Sequence, residues 1–172
     1  MNRVAVASPN FNQRPAGVDV RWIVLHADAA GDAKASISWI KSKESKVSYH
    51  ALVDRDGTVY VFVDPSQRAW HAGKSILDGI ADANNFTLGL SFANKCDGKE
   101  PYTDAQYDAG AEVVREWMAL YPSLAVERMA SHQEIRAAWL AKHPASAEVK
   151  HDPGPLFDLV RFQSLCYPVP TA

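Results

Sequence analysis

The sequence predicts a single domain of the mixed α/β class. Short apolar runs bounded by turn residues, Arg21 to His26 and Thr87 to Ala93, are typical of buried strands. Two further runs, Val47 to Val53 and Thr58 to Val63, flank an Asp-Gly pair, which is a strong hairpin signal. Helical segments mix with these strands without strict βαβ alternation, so we expect a mixed fold rather than a regular parallel one.

Four segments have the apolar spacing or end signals of helices: Ala33 to Lys43, about Asp104 to Leu120, Gln133 to Lys142 and Pro155 to Leu165. Thr103 and Gln106 have the spacing of a capping box, which places the start of the second helix. Pro155 suits the first turn of the fourth helix. The stretch from Asn10 to Gly17 contains breakers and is predicted to be irregular.

Length and charge limit the function. We expect a chain of 172 residues to form one domain that buries about 70% of its unfolded surface, with no linker to a separate wall-binding module. The net charge of -2 argues against nucleic acid as a partner. The lysines between Lys41 and Lys46 are interrupted by Glu44, so a solvated helix end is favoured over a phosphate-binding cluster.

Cysteine content and hydropathy bear on location. Cys96 and Cys166 lie far apart in sequence and define no disulfide framework. The apolar stretch between Met1 and Pro9 is too short for a signal peptide, and no segment approaches the roughly 20 apolar residues of a membrane span. We therefore expect synthesis in the cytoplasm, no stable membrane insertion and a monomer. Access to the cell wall would need a separate membrane-permeabilising protein.

Three residues form a candidate metal site. His26 ends an apolar run, His132 lies between a predicted strand end and a helix start, and Asp152 precedes a proline. Two imidazoles and one carboxylate leave a fourth position for water, as in catalytic zinc sites. A lone histidine at a strand end is more often structural, so the prediction rests on the three residues together.

The segment around Asp152 is the most specific one. Pro153 favours an extended conformation at Asp152, and residues two apart in an extended stretch face the same way. Lys150 and Asp152 should therefore share a face, with His151 on the other. This favours Asp152 as the third ligand, with His151 as the alternative. Without His26 and His132, a charged turn before a helix would explain the segment.

Six segments in this order resemble a known family: Ile23 to His26, Val47 to His50, Asp56 to Val59, Arg68 to Gly73, Ser131 to His132 and Lys150 to Phe157. The chain resembles the zinc-dependent N-acetylmuramoyl-L-alanine amidases of the type-2 family. That family includes amidase-type phage lysozymes, peptidoglycan-recycling amidases and peptidoglycan recognition proteins. The resemblance runs from about Ser8 to Phe162. It implies one zinc amidase domain over residues 1–172, with a catalytic core at about 20–165.

The resemblance also implies a fold and a site. The fold is a central mixed β-sheet flanked by helices, with Zn²⁺ in a groove above the sheet. The residues that match the family's metal ligands are His26, His132 and Asp152. Lys150 matches a cation near the scissile carbonyl, and Tyr49 matches the active-site tyrosine of the phage lysozymes. A half-buried strand aromatic is the alternative for Tyr49.

Further positions match the substrate groove. Trp70 and His71 belong to a motif beside this groove, although Trp70 could equally be a core residue. Asn85, which precedes a predicted strand, is a weaker groove candidate. His50 points away from Tyr49 on the same strand and is expected to be structural.

The chain departs from the family at three places. Ser91 occupies a position where many relatives carry glutamate, which leaves the general base open. The stretch at 133–149 is longer than the family's usual loop, and we expect it to form a lid or to reshape the groove. Asp28 stands where small or hydroxyl residues are commoner, so it would support a metal ligand or perturb the metal site.

Three functions fit these features. The first is hydrolysis of the amide between N-acetylmuramic acid and L-alanine in peptidoglycan, as a phage endolysin. The second is the same reaction on small muropeptides, in a cytosolic recycling amidase. The third is non-catalytic peptidoglycan binding or regulation, which the retention of all three ligand residues disfavours.

Overall fold

The computed structural model describes residues 1–167. The strands are Arg3–Ala5 (β1), Phe11–Gln13 (β2), Trp22–Ala27 (β3), Ala51–Val53 (β4), Val59–Val61 (β5), Gln67–Ala69 (β6), Ile76–Leu77 (β7), Ile80–Ala81 (β8), Thr87–Phe92 (β9) and Met129–Ser131 (β10). The helices are Ala33–Lys41 (α1), Asp104–Leu120 (α2), His132–Lys142 (α3) and Leu159–Cys166 (α4). Within the described range, no helix combines the length and apolar character needed to cross a bilayer.

The main sheet has six strands in the order β1-β5-β4-β9-β3-β10. β3 runs parallel to both of its neighbours, β9 and β10, and β4 is parallel to β9. The predicted hairpin is present as the antiparallel pair β4–β5. The sheet is therefore mixed, as predicted. Two small antiparallel pairs, β2–β6 and β7–β8, lie outside it.

Both faces of the sheet are covered, because the inner strands are apolar on both sides. Ile23 and Leu25 of β3 belong to a core cluster with residues of α2 and α4, whereas Val24 belongs to a second cluster with Ile135 of α3. Side chains alternate along a strand. His26 is therefore on the face of Val24, towards α3.

The start of α2 agrees with the sequence prediction. The Thr103 hydroxyl accepts from the Gln106 amide at 3.1 Å, and the Gln106 side chain accepts from the Thr103 amide at 3.1 Å. This capping box satisfies two amides that a helix start leaves free, so α2 begins at Asp104 as predicted.

Several predicted boundaries were wrong: α1 ends at Lys41 rather than Lys43, and the strand predicted from Val47 to Val53 is only Ala51–Val53. Two larger differences have a local explanation. Helix α4 begins at Leu159 rather than at Pro155, because Gly154 has a φ of +85° and Asp158 caps the helix by accepting from the Arg161 amide at 2.9 Å. The predicted irregular lead-in contains β2, which pairs with β6. β2 is exposed along its whole length, so it carries no apolar alternation that a sequence reading could detect.

Candidate active site

Two of the predicted metal ligands are brought together by strand pairing. β3 and β10 are parallel, and their last paired residues are Leu25 and Ser131. The next residues along the two strands are His26 and His132, so both imidazoles lie at the carboxyl ends of adjacent strands. His132 is also the first residue of α3, whose start is fixed by the Ser131 hydroxyl accepting from the Glu134 amide at 3.1 Å.

Asp152 completes the cluster from a distant segment. Its Oδ2 atom lies 3.1 Å from Nδ1 of His26 and 3.1 Å from Nδ1 of His132. The three candidate ligand atoms all lie within 4.8 Å of one another. Ligands about 2 Å from a tetrahedral zinc are about 3.3 Å apart, so this spacing fits the ion with one position left open. His151, the alternative ligand, is exposed and is not part of the cluster.

The protonation states of the cluster suit a divalent ion. Burial lowers the pKa of His26 to about 4, so its imidazole is neutral at neutral pH. Burial alone would raise the pKa of Asp152, but hydrogen bonds with His132 and His26 outweigh it and hold that pKa well below its usual range. A neutral imidazole and an ionised carboxylate are the forms that bind metal.

A cavity of about 1310 Å³ opens beside this cluster. Six of the predicted site residues line it: Tyr49, Trp70, His71, His132, Lys150 and Asp152. Asn85 does not line the cavity, whereas its neighbour Asn84 does. The Asn85 side chain instead accepts from Nε of Arg68 at 2.7 Å.

Tyr49 and Trp70 stand on the cavity wall. The Tyr49 ring centroid lies 5.1 Å from that of His26. Burial raises the pKa of Tyr49, so its hydroxyl stays protonated at neutral pH and can donate a hydrogen bond. Trp70 is half-buried, and its indole Nε1 donates to Oδ1 of Asn12 at 2.6 Å, which fixes the ring.

His71 is buried behind the metal cluster. Its Nδ1 lies 3.1 Å from Nε2 of His26, and its Nε2 lies 3.2 Å from the Thr87 hydroxyl. Oδ1 of Asn84 accepts from the backbone amides of His71 at 3.0 Å and of Ala72 at 2.8 Å. His71 thus contacts a candidate ligand from the side opposite Asp152.

Lys150 is held by Glu148, a residue that the sequence analysis did not predict in the site. Its Nζ lies 2.7 Å from Oε1 of Glu148. The buried Arg136 donates from Nε to the Glu148 carbonyl at 2.8 Å and from a second nitrogen to the Lys74 carbonyl at 3.3 Å. Arg136 is four residues after His132 on α3, so both lie on one helix face. This spacing is a sequence signal that could have placed Arg136 near the site.

Two positions where the chain departs from the family pattern, Asp28 and Ser91, have a local explanation. Asp28 accepts from the backbone amides of Ala30 at 3.1 Å and Asn94 at 3.0 Å and from the Ser36 hydroxyl at 2.7 Å, so it orders the loop after β3. Ser91 pairs in register with His26 on the neighbouring strand, and its buried hydroxyl lies close to the side chain of Tyr49. No carboxylate therefore stands beside His26 at this strand position.

Residues 16–155 match the model of the N-acetylmuramoyl-L-alanine amidase family. The chain belongs to this family. The amidase is 30% identical to the 1,6-anhydro-N-acetylmuramyl-L-alanine amidase AmpD of Escherichia coli, over 93% of this chain and 90% of that protein. It is 29% identical to AmpD of Haemophilus influenzae, over 92% of this chain and 89% of that protein.

Solved structures agree with this assignment. A crystal structure of a selenomethionine derivative of AmpD superposes on the amidase with a TM-score of 0.73 at 30% identity, covering 96% of this chain and 94% of that one. The fold also matches that of AmiD from E. coli, in complex with anhydro-N-acetylmuramic acid-L-Ala-D-gamma-Glu-L-Lys, with a TM-score of 0.72 at 24% identity. That match covers 90% of this chain and 60% of AmiD. The predicted family and fold class are thereby confirmed.

Proposed function

We propose that this amidase cleaves the amide between N-acetylmuramic acid and L-alanine in small soluble muropeptides, the reaction of muropeptide recycling. Two imidazoles and one carboxylate that meet beside an open cavity, with His132 and Asp152 lining it, carry this proposal. The choice of soluble substrate is supported by relatives of similar length that are named 1,6-anhydro-N-acetylmuramyl-L-alanine amidases. These relatives favour recycling over the endolysin interpretation.

His26, His132 and Asp152 would hold a zinc ion. When bound, zinc activates water near neutral pH and polarises a carbonyl oxygen. The neutral imidazole of His26 and the ionised carboxylate of Asp152 have the net charges in which these groups bind a metal. The open side of the cluster faces the cavity, where the scissile amide would lie.

Lys150 and Tyr49 are proposed to stabilise the developing negative charge. The ammonium of Lys150 stands on the cavity wall, two residues from Asp152, and Glu148 restrains it. The Tyr49 hydroxyl remains protonated and can donate to the substrate oxygen. Donors held in place before the reaction stabilise charge in the transition state without a cost of reorientation.

Glu148 is also the proposed proton acceptor. Among residues 1–167, four side-chain carboxylates line the cavity: Asp28, Asp82, Glu148 and Asp152. Asp28 accepts several loop hydrogen bonds, and Asp82 forms a two-oxygen ion pair with Arg68 at 2.9 and 2.8 Å. Asp152 belongs to the metal cluster. A hydrogen bond with Lys150 lowers the pKa of Glu148, so its carboxylate is ionised at neutral pH but is a weaker base than a free glutamate. Glu148 is proposed as the acceptor because the other three carboxylates have loop, ion-pair or metal-cluster partners.

Two substrates separate the candidate functions. The zinc-loaded protein is incubated with soluble anhydro-muropeptides and, separately, with purified cell walls, and mass spectrometry identifies the cleaved bond. We expect rapid release of the peptide from the soluble substrate and slow clearing of wall suspensions. Rapid wall clearing without cleavage of the soluble substrate would instead indicate an endolysin. A protein that binds zinc and cleaves neither substrate would be a non-catalytic binder.

A further inference from the structure

His71 was expected beside the substrate, yet its closest polar contacts are inside the protein. The residue is 4% exposed. Its two ring nitrogens face His26 and Thr87, at 3.1 and 3.2 Å. Neither ring nitrogen is left for a ligand. The contacts therefore connect a candidate metal ligand, through His71, to a buried hydroxyl on β9.

The direction of these hydrogen bonds is set by the metal site. If Nδ1 of His26 binds zinc, the neutral ring carries its proton on Nε2. That proton faces Nδ1 of His71, which must then be the acceptor. His71 accordingly carries its own proton on Nε2 and donates it to the Thr87 hydroxyl. One tautomer of each histidine satisfies the whole chain.

The protein keeps space for this arrangement. Thr87 and Gly89 lie on the same face of β9, because they are two residues apart in a strand. A Cβ atom at position 89 would lie 2.5 Å from Cγ of His71, so the glycine leaves the room that the imidazole occupies. Asn84 fixes the backbone of His71 from the other side through two amide hydrogen bonds.

We propose that His71 is a positioning residue that fixes the ring orientation and the tautomer of His26, with Thr87 anchoring the far end of the chain. The inference rests on the proposed zinc site at His26, His132 and Asp152. Residues that hold a metal-binding histidine through its second nitrogen typically contribute about 10–100-fold to metal affinity.

Two replacements of His71 test this role by zinc affinity, measured by competition with a chromophoric chelator. His71→Leu keeps much of the side-chain volume but removes both nitrogens, and we expect a 10–100-fold loss of affinity. His71→Asn places an amide oxygen near the position of Nδ1, so it restores the acceptor for His26 and most of the affinity. Thr87→Val removes only the anchor and should cause a smaller loss.

Ser75→Ala is the matched control. Ser75 is buried in the same segment and its hydroxyl accepts from the Ala83 amide at 3.1 Å, but it does not contact His26. We expect this variant to lose stability without losing zinc affinity. Equal affinity in wild type, His71→Leu and His71→Asn would overturn the positioning role.

The wild-type protein provides an independent measurement if a variant fails to fold. Two-bond ¹⁵N–¹H NMR spectra of the zinc-loaded protein report the tautomer of each histidine. We expect both His26 and His71 to be protonated at Nε2. A proton on Nδ1 of His71 would overturn the proposal. A wild-type protein that binds no zinc would refute the proposed metal site itself, whereas zinc binding that is indifferent to His71 would refute only this inference.

Discussion

Nδ1 of His26 lies 3.1 Å from Oδ2 of Asp152, although 126 residues separate the two in sequence. Both groups are largely buried, with side-chain exposures of 1% and 14%. A buried carboxylate and a buried imidazole in contact are typical of a functional site, because their burial would otherwise be unfavourable. The contact also places the segment after α3 against the end of β3.

Replacing Asp152 tests the metal cluster directly. Asp152→Asn keeps the size of the side chain but removes the negative charge, so we expect zinc affinity to fall by at least tenfold and amidase activity to fall with it. Bound zinc is measured after dialysis against a weak chelator. His151→Asn is the matched control, because His151 is exposed and lies outside the cluster. Full zinc occupancy in Asp152→Asn would contradict the assignment.

Replacing Lys150 separates catalysis from metal binding. Lys150→Met keeps the length of the side chain but removes the charge, and we expect turnover to fall by about 10²–10³-fold while zinc stays bound. Steady-state kinetics and metal analysis of the same sample measure the two effects. Lys142→Met, at the exposed end of α3, controls for the loss of one positive charge. Near-wild-type turnover in Lys150→Met would exclude the proposed role.

Arg136 is expected to hold the segment at 143–149 in place. It is 4% exposed and donates to the Glu148 carbonyl and the Ser146 hydroxyl. Arg136→Leu should lower the free energy of unfolding by about 1–3 kcal/mol, because partly buried carbonyl and hydroxyl acceptors lose their donor. Trypsin should then cleave faster at Lys142 or Lys150.

Arg161→Leu, at an exposed arginine, is the control for Arg136→Leu. Arg161 pairs with Asp104 at 2.6 Å on the surface. Arg161→Leu should change stability little, since exposed ion pairs contribute little. If both arginine variants resist trypsin as well as wild type does, Arg136 does not restrain the segment.

The buried His50 predicts an acid-sensitive stability. Burial, and then the charge of Arg14, lowers the pKa of His50 from 6.5 to about 3. The unfolded chain therefore binds a proton below pH 6.5 that the folded protein excludes. The contribution of neutral His50 to the free energy of unfolding is complete above pH 6.5 and is lost as the pH falls towards 3. Once His50 is protonated in the unfolded chain, the loss is about 1.4 kcal/mol per pH unit.

Urea unfolding of the zinc-free protein at pH 7, 6 and 5 measures this effect. His50→Gln cannot titrate, so its stability should depend less steeply on pH than that of wild type. The difference between the two proteins should shrink on acidification. Parallel pH profiles would show that His50 does not contribute.

The parts of the fold that local signals specify were predicted from the sequence. The capping box of Thr103 and Gln106 placed the start of α2 at the correct residue. Pro155 looked like an equally good start for α4, but the helix begins four residues later because the turn at Gly154 and the cap at Asp158 decide it. A proline that is only compatible with the first turn of a helix is therefore weaker evidence for a helix start than a side chain that caps the helix by hydrogen bonds.

The sequence identified the three residues that meet in the candidate metal cluster, but not the contacts that surround them. His26, His132 and Asp152 could be named because their residue types and positions match zinc chemistry. The burial of His71 depends on the absence of a side chain at Gly89, which lies on β9, 18 residues further along the chain. The link from Arg136 to Glu148 depends on how the chain returns after α3. The spacing of His132 and Arg136 places both on one face of α3, but nothing in the sequence indicates which residues Arg136 or His71 contacts.

The three candidate ligands come from β3, the start of α3 and the segment before α4, so one ion would join separate parts of the chain. A ligand that binds only the folded state adds about 2.7 kcal/mol of stability at a concentration hundredfold above its dissociation constant. Zinc starvation would then weaken the folded state as well as the reaction. The lifetime of the protein in a cell, and not only its turnover, would follow the supply of the metal.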